Sequence, residues 1–354
     1  MTTTLIENTV QAIQPLDENA RGAARARQDQ LTKPQGSLGR LEALSVQIAG
    51  ITAQPRPRFH QPVIITMAAD HGIARQGVSA YPAEVTPQMV LNFLYGGAAI
   101  NVLARHTGAR VVIVDIGVAS DLPRHPDLIS ARIAPGTRDF SIESAMTPEE
   151  AERAVAAGIE IVTREISRGA DIIGTGDMGI GNTTASSAIV ATITHCSVAE
   201  VTGRGTGVDD AGLARKVGVI ERALAARHPD PSNAWDVLSK VGGFEIAGLA
   251  GVMIGAAARR VPVVVDGFIS GAAALIACGI APAAQPYLVA AHRSVEIGHR
   301  AVMEHLRLEP LLDLNMRLGE GTGAALGISL CLAACKVLDE MATFGEAGVS
   351  EKGA

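Results

Sequence analysis

The sequence predicts an α/β fold with a doubly wound, mostly parallel sheet and a small helical subdomain. Short β-branched segments alternate with longer segments of helical periodicity through the middle of the chain. The β-branched segments are almost continuously apolar, as expected of parallel strands that are covered on both faces. Of the 354 residues, 47% are hydrophobic, 3% are aromatic and 38 are glycine. The core must therefore be built from Ala, Val, Ile and Leu with close backbone approaches.

Five apolar segments are predicted to be strands of this sheet. They are residues 62–67, 110–115, 171–174, 261–266 and 287–290. Several of them end in glycine or in a carboxylate, including Asp70, Asp115 and Asp266. In open α/β sheets the ligand lies outside the carboxyl ends of the strands, so these strand ends are where a site is expected.

Helices are predicted between the strands. Residues 147–150 (TPEE) form a capping box with proline at the first helical position, which predicts a helix to about Arg168. Acidic residues 209–210 begin a second helix that ends at Arg227, as the helix dipole favours. A further helix is predicted from about residue 83 to residue 105. Residues 267–293 are predicted to form a buried helix followed by a strand. A membrane-spanning helix is disfavoured there, because Gly, Ser, Pro and Gln interrupt the apolar segment.

The chain ends differ from the middle. Residues 1–52 and 294–342 show helical periodicity and no strand. We therefore expect a small helical subdomain from residues 1–52 with 294–354, beside a large α/β domain from residues 53–293.

Composition excludes several classes of protein. A net charge of −6 and few aromatic residues argue against binding of duplex or single-stranded nucleic acid. The first 18 residues lack the basic start and apolar core of a signal peptide. Cys331 and Cys335 lie four residues apart in an apolar run and are expected to be core residues of one helix. The expectation is a cytoplasmic protein with no membrane partner.

A glycine-rich segment, residues 174–184 (GTGDMGIGNTT), is the strongest candidate for an anion-binding loop. Glycines allow consecutive N–H groups to converge on a phosphate at the start of the following helix. The same segment contains GxGxxG at Gly174, Gly176 and Gly179, which leaves a dinucleotide site open. Glu200 has the spacing of the ribose-binding acid, but it does not end a convincing strand.

Two more glycine-rich segments follow. Residues 202–210 (TGRGTGVDD) precede a helix with Lys216, which either adds its ammonium to a phosphate or is a solvated surface lysine. Residues 318–323 (LGEGTG) place Glu320 between glycines at a helix start. The helix dipole favours the ionised carboxylate there, which suits a general base.

The histidines and serines indicate no further chemistry. No histidine pair has metal-ligand spacing, and no serine lies in GxSxG. Neither a metal nor a cofactor is predicted. Tyr81, on the segment after the first strand, either packs on a flat aromatic ligand or is an ordinary loop tyrosine.

Six motifs in order carry a resemblance to a known family. They are residues 33–42 (KPQGSLGRLE), 69–72 (ADHG), 78–82 (VSAYP), 179–184 (GIGNTT), 243–248 (GFEIAG) and 318–324 (LGEGTGA). The chain resembles the nicotinate-nucleotide–dimethylbenzimidazole phosphoribosyltransferases from about residue 10 to residue 345. The resemblance implies a homodimer with a Rossmann-like large domain and a helical domain from both chain ends. It also implies phosphoribose transfer from nicotinate mononucleotide to 5,6-dimethylbenzimidazole, giving α-ribazole 5′-phosphate and nicotinate with inversion at the anomeric carbon.

The resemblance also implies roles for individual residues. Glu320 is the expected general base. The benzimidazole pocket is expected to contain Ser79, Tyr81 and Gln88. The phosphate and ribose are expected to be held by Gly176, Gly179, Asn182, Gly203 and Lys216. Asp177 departs from the family, which usually has Glu there, so its role as a secondary carboxylate is open.

Two other functions are compatible with the residues alone. One is an NAD-dependent oxidoreductase that uses Gly174, Gly176 and Gly179. The other is a non-catalytic nucleotide-sensing module with the same fold. Neither requires Glu320 between its glycines, which is the feature that separates them from the transferase.

Overall fold

Six parallel strands form one sheet in the computed structural model, which describes residues 2–350. The strands are β1 (Pro62–Ala69), β2 (Arg110–Gly117), β3 (Leu128–Ser130), β4 (Ile172–Met178), β5 (Val263–Val265) and β6 (Leu288–Ala290). Their order is β3-β2-β1-β4-β5-β6 and every neighbouring pair is parallel. The predicted doubly wound sheet and its five predicted strands are confirmed. The strand order reverses between β1 and β4, where ligands bind in such sheets.

β3 is the one strand of the sheet that the sequence did not predict. It is a three-residue edge strand that pairs with β2 alone. Its residues are half-buried or exposed, so it lacks the long apolar run that identifies the other strands.

Fifteen α-helices surround the sheet in residues 2–350. They are α1 (Thr2–Gln11), α2 (Glu18–Gln30), α3 (Arg40–Thr52), α4 (Val85–Leu94), α5 (Ala99–Thr107), α6 (Pro148–Ser167), α7 (Asn182–Thr194), α8 (Val198–Val201), α9 (Asp210–Arg227), α10 (Ala234–Val241), α11 (Phe244–Ala258), α12 (Phe268–Ile280), α13 (Gly298–Leu306), α14 (Thr322–Glu340) and α15 (Phe344–Ala347). One core packs α6, α7, α11 and α12 on one face of the sheet, and a second packs α3, α4, α5 and α14 on the other.

The predicted helix starts are confirmed in detail. At α6 the Thr147 hydroxyl accepts from the Glu150 N–H at 3.1 Å, and the Glu150 carboxylate accepts from the Thr147 N–H at 2.7 Å. At α9 the Asp209 carboxylate accepts from the Gly212 N–H at 2.7 Å. Each of these bonds satisfies an N–H group that the helix cannot use itself.

The single helix predicted from residue 83 to residue 105 is wrong, because the chain forms α4 and α5 there. Gly96 adopts a left-handed conformation with φ of 75° and ends α4. The Asn101 side chain then stabilises the break. Its oxygen accepts from the Ala98 N–H at 3.1 Å, and its amide donates to the Phe93 carbonyl at 3.0 Å.

The two chain ends meet on one face of the sheet. α14 packs against α2 and α3, and the Arg27 guanidinium donates to the carbonyls of Leu338 and Met341 near its end. α1 and α13 instead pack on α6 and α12. The division into residues 1–52 with 294–354 and residues 53–293 stays a prediction.

α14 also has the length and apolar composition of a membrane-spanning helix. It packs against α3, α5 and β4, and most of its residues are buried. Cys331 and Cys335 lie on its buried face, as the sequence predicted. This is the environment of a core helix.

α6 and α11 approach so closely that glycine is required at their contact. A Cβ atom at Gly251 would overlap the carbonyl oxygen of Val155. We expect Gly251→Ala to lower the free energy of unfolding by about 1–3 kcal/mol, because backbone must move to admit the methyl group. The control is Gly22→Ala on α2, where a Cβ meets nothing within 4 Å. Urea unfolding should show that control to be neutral or stabilised, and equal losses in both variants would contradict the packing argument.

Candidate active site

A cavity of about 670 Å³ opens at the carboxyl edge of the sheet. Its walls come from the segments that follow β4, β5 and β6, from the start of α4 and from the turn before α14. The volume is in the range of small-molecule sites, which is about 300–1,000 Å³. The cavity lies at the carboxyl ends of the strands, where the sequence placed the site.

One side of the cavity is apolar. Tyr81, Val85 and Met89 line it from the beginning of α4, and Leu318 and Met178 line it from the turn before α14 and the end of β4. Tyr81 keeps 56% of its surface exposed, so its ring is available to a ligand. Aromatic and thioether side chains of this kind pack well on a flat aromatic ring.

The other side of the cavity has the features of an anion site. The first residues of two long helices, Asn182 of α7 and Phe268 of α12, line it, and neither helix has a side-chain cap. The dipoles of both helices favour a negative charge at their starts. Arg317 adds a guanidinium that is oriented by donating to the Gly205 carbonyl at 2.7 Å.

Glu320 reaches the cavity from a strained turn. Gly319, Glu320 and Gly321 all have left-handed backbone, with φ of 83°, 64° and 95°. A non-glycine residue in this region costs energy and is held there by its surroundings. The Glu320 carboxylate accepts from the Ile100 N–H of α5 at 3.3 Å. Burial raises the pKa of Glu320, and this hydrogen bond opposes the rise.

Asp177 lies near the end of β4, with its carboxylate at the cavity. One oxygen accepts from the Asn182 side-chain amide at 3.1 Å, and the other has no partner among the described residues. Burial, followed by the charges of Asp266 and Glu245, raises the pKa of Asp177 well above its usual value. These surroundings make Asp177 harder to ionise than an exposed aspartate.

A buried histidine–glutamate pair lies behind the Gly179–Gly181 turn. The His71 ring and the Glu245 carboxylate are both fully buried, with His71 Nε2 and Glu245 Oε1 2.6 Å apart. The His71 Cβ lies against Gly181, where an added Cβ would be at 3.2 Å. The pair therefore supports the turn that leads into α7. Both residues belong to motifs that the sequence singled out without giving them a role.

The first glycine-rich segment is only partly a loop. Gly174 and Gly176 lie inside β4, so the prediction of a loop from residue 174 is wrong. A Cβ at Gly176 would overlap the Glu320 carbonyl oxygen, which makes Gly176 a packing glycine rather than a residue lining the cavity. Gly179 and Asn182 do line the cavity. Gly203 does not line the cavity either. It packs against the Glu296 carboxylate, which a Cβ at Gly203 would overlap.

Lys216 is not a solvated lysine, since its side chain is fully buried. Its ammonium donates to the Thr183 hydroxyl at 2.7 Å and to the Gly203 carbonyl at 3.4 Å. Thr183 lines the cavity, so Lys216 contacts the site through it. Burial lowers the pKa of Lys216 to about 8, and the nearby Glu296 charge opposes the change.

The three residues predicted to bind the aromatic base differ in how close they lie to the cavity. Tyr81 lines the cavity. The Ser79 hydroxyl lies 3.1 Å from that of Thr206, which also lines the cavity. Gln88 is exposed on α4, and its neighbours Val85 and Met89 face the cavity instead. Sequence reasoning missed those two, although they lie at helical spacing after Tyr81.

The site does not match a dinucleotide fingerprint. Two of the three glycines are inside a strand, and Glu200 lies on the four-residue helix α8, where it is exposed and caps Ser197. Glu200, the acid with the spacing expected for the ribose, is therefore not at the end of a neighbouring strand. Within residues 2–350, no group of three His, Cys, Asp or Glu side chains is arranged to hold a metal ion.

Comparisons with known proteins match almost the whole chain. The DBI_PRT family, described as Phosphoribosyltransferase, matches residues 13–349. Two relatives are named nicotinate-nucleotide–dimethylbenzimidazole phosphoribosyltransferase. This chain is 70% identical to the one from Roseiflexus sp. (strain RS-1) and 68% identical to the one from Chloroflexus aurantiacus, over 98% of this chain and 99% of each relative. A crystal structure given that enzyme name from Thermus thermophilus superposes with a TM-score of 0.90 at 45% identity, over 95% of this chain and 100% of that one.

Proposed function

The chain belongs to the nicotinate-nucleotide–dimethylbenzimidazole phosphoribosyltransferase family, and we propose how its site performs that reaction. The enzyme transfers phosphoribose from nicotinate mononucleotide to 5,6-dimethylbenzimidazole. The products are α-ribazole 5′-phosphate and nicotinate. The observation that carries the mechanism is the Glu320 carboxylate, held in a strained turn at a cavity with one apolar side and one anion-binding side.

The bonding changes explain why a single base is enough. The bond between the anomeric carbon and the pyridinium nitrogen breaks, and its electron pair stays on the nitrogen. Nicotinate therefore leaves with a neutral ring, and its departure needs no acid. One benzimidazole nitrogen attacks the opposite face of the anomeric carbon, which inverts its configuration. The other nitrogen loses its proton to the Glu320 carboxylate.

Glu320 suits this proton transfer. A general base works best when its pKa approaches the working pH, and burial moves the pKa of Glu320 in that direction. The Ile100 N–H bonds one carboxylate oxygen and orients the group. The second oxygen is then available to the benzimidazole N–H.

We place the benzimidazole against the apolar side of the cavity. Tyr81, Val85 and Met89 there match the flat, methylated ring system. Ser79 holds the adjoining loop through Thr206. Gln88 is kept as a prediction, although its exposed position gives it no direct contact with the cavity.

We place the nucleotide phosphate at the opposite side, near the starts of α7 and α12. Gly179 and Asn182 line this part, and Lys216 supports it from behind through Thr183. Packing against neighbouring groups limits Gly176 and Gly203 to shaping this wall. Asp177 is proposed as a secondary carboxyl that orients Asn182 rather than as the base, because its raised pKa favours the protonated form.

Lys216 gives the enzyme an expected alkaline limit. Its pKa of about 8 lies below the usual value of 10.5, so the Lys216 ammonium group loses its proton as the pH rises through 8. The positive charge that favours phosphate is then lost as well. We expect kcat/KM for nicotinate mononucleotide to fall above pH 8, and Lys216→Met to lower it at pH 7 by about 10-fold or more. Lys336→Met, an exposed change on α14, should have no effect, and a flat alkaline profile would contradict the role of Lys216.

A chromatographic assay with nicotinate mononucleotide and 5,6-dimethylbenzimidazole tests the function. Formation of α-ribazole 5′-phosphate is the expected result. Nucleotide binding without turnover, surviving Glu320→Gln, would instead identify a sensing module. NAD-dependent turnover would identify an oxidoreductase, an alternative that the comparisons do not support.

We further propose that the enzyme acts in the cytoplasm as a homodimer. The buried position of α14 supports the first proposal. The resemblance of the whole chain to its family supports the second. Sedimentation of the purified protein at micromolar concentration would measure the assembly directly.

A further inference from the structure

The Glu320 turn is held by three neighbouring strands of the sheet. From β1, the Thr66 hydroxyl donates to the Glu320 carbonyl at 3.0 Å. From β4, the Asp177 carbonyl accepts from the Glu320 N–H at 3.3 Å. From the end of β5, the Asp266 carboxylate accepts from the Gly321 N–H at 3.2 Å and from the Ala324 N–H at 2.9 Å. The last of these restraints is the only one of the three made by a carboxylate.

Asp266 is itself fixed in place. It is almost fully buried, and its own N–H donates to the Thr175 hydroxyl at 3.2 Å. Gly323 passes so close that a Cβ there would lie 2.8 Å from the Asp266 carboxylate. These contacts hold the Asp266 carboxylate against the start of α14. Its two oxygens cap the start of α14, which directly follows Glu320 in the chain.

The restraint matters because the Glu320 backbone is strained. A left-handed glutamate relaxes to an ordinary conformation unless its neighbours prevent it. Relaxation of the turn would move the carboxylate away from the Ile100 N–H and from the cavity. A displacement of about 1 Å at a reacting group is enough to lower a rate by about 100-fold.

We propose that Asp266 is a positioning residue for the Glu320 base: it anchors the start of α14 to β5 and so keeps the Glu320 carboxylate directed at the reacting benzimidazole. This inference rests on the proposed function for its kinetic consequence. The other ionisable groups around the turn are Asp177 on β4, His292 after β6 and Arg317 in the same segment. His292 Nε2 lies 3.8 Å from the Asp266 carboxylate, beyond a hydrogen bond.

A double-mutant cycle tests whether Asp266 acts through Glu320. Asp266→Asn keeps the shape and removes the second acceptor. In the wild-type background we expect kcat to fall by about 10- to 100-fold, with the KM for the nucleotide and its binding stoichiometry unchanged. In the Glu320→Gln background, Asp266→Asn should lower kcat by less than about 3-fold, because the carboxylate that Asp266 positions is absent. Equal losses in both backgrounds, or no loss in either, would overturn the proposal.

Hydrogen exchange provides a readout that does not depend on turnover. Loss of the carboxylate should speed exchange of the backbone amides in residues 319–325 by about 10-fold or more. Thr66→Val, a change of similar shape, removes the bond to the Glu320 carbonyl from the other side and should act on the same segment and on kcat. Unchanged exchange at residues 319–325 in Asp266→Asn overturns the proposal even if the enzyme proves to have another activity.

Asp115 offers a matched control. It too is a buried carboxylate near the end of a strand, and it accepts from the Gly117 and Val118 N–H groups at 3.1 and 2.9 Å. It does not line the cavity. Asp115→Asn should speed exchange near residues 115–119 and leave kcat unchanged. If wild-type protein fails to form α-ribazole 5′-phosphate, the proposed function fails, and the exchange measurement still decides the role of Asp266.

Discussion

Glu320→Gln is expected to lower kcat for α-ribazole 5′-phosphate formation by about 10²–10⁴-fold, the range that general-base catalysis supplies. Glutamine keeps the length of the side chain and its hydrogen bond from Ile100, which wild-type Glu320 accepts at 3.3 Å. It cannot take the benzimidazole proton. The KM for nicotinate mononucleotide should change little, because we place its phosphate at the starts of α7 and α12 and not at Glu320. Quantitative chromatography of product over time measures the effect.

The same exchange at an exposed position provides the control. Glu304 lies on α13, where it pairs with Arg300 at the surface, so Glu304→Gln should retain wild-type kcat. The pH profile adds a second criterion. The acidic limb of kcat/KM should reflect a carboxylate whose pKa is raised by burial, and that limb should vanish in Glu320→Gln. If Glu320→Gln forms product at the wild-type rate, Asp177 becomes the candidate base.

Much of the fold is readable from local patterns. Continuous apolar segments locate five strands, since burial on both faces removes any polar alternation. Capping residues locate the starts of α6 and α9, since they act within three residues of themselves. The break between α4 and α5 escaped detection because Asn101, which stabilises it, looks like any helix residue. β3 was not predicted because it pairs with the free edge of β2, which exists only once the sheet has formed.

The site shows the same division between local and distant information. Glu320, Gly179 and Asn182 lie in glycine-rich segments whose composition marks them. In the sequence Asp266 is recognisable only as a carboxylate at a strand end, because its partners Gly321 and Ala324, at the start of α14, are more than 50 residues away. Gly176 was assigned to a loop because glycine is typical of loops. Its actual role depends on how close Glu320 comes in the folded chain.

That close approach leads to the second large effect. Gly176→Ala would place a methyl group on the Glu320 carbonyl oxygen and 2.7 Å from the Thr66 hydroxyl. Both contacts belong to the backbone restraint of the strained turn, so the turn must move. We expect kcat to fall by about 100-fold, as for a displacement of about 1 Å at the base. Nucleotide binding should persist, since the α7 and α12 starts are untouched.

Gly174→Ala separates this effect from general overpacking. Gly174 lies two residues earlier on the same face of β4, and the three atoms nearest to its added Cβ would be side-chain carbons of Ile64, Ala324 and Ile328, at 3.0–3.2 Å. Side chains can adjust by a few tenths of an ångström, so we expect a loss of about 1–3 kcal/mol in stability or less with kcat close to wild type. Thermal unfolding and steady-state kinetics on both variants distinguish the two cases. If Gly176→Ala and Gly174→Ala lose activity in the same proportion to their loss of stability, the contact between Gly176 and Glu320 has no special role. An added methyl group on this face of β4 would then be harmful whichever residue it contacts.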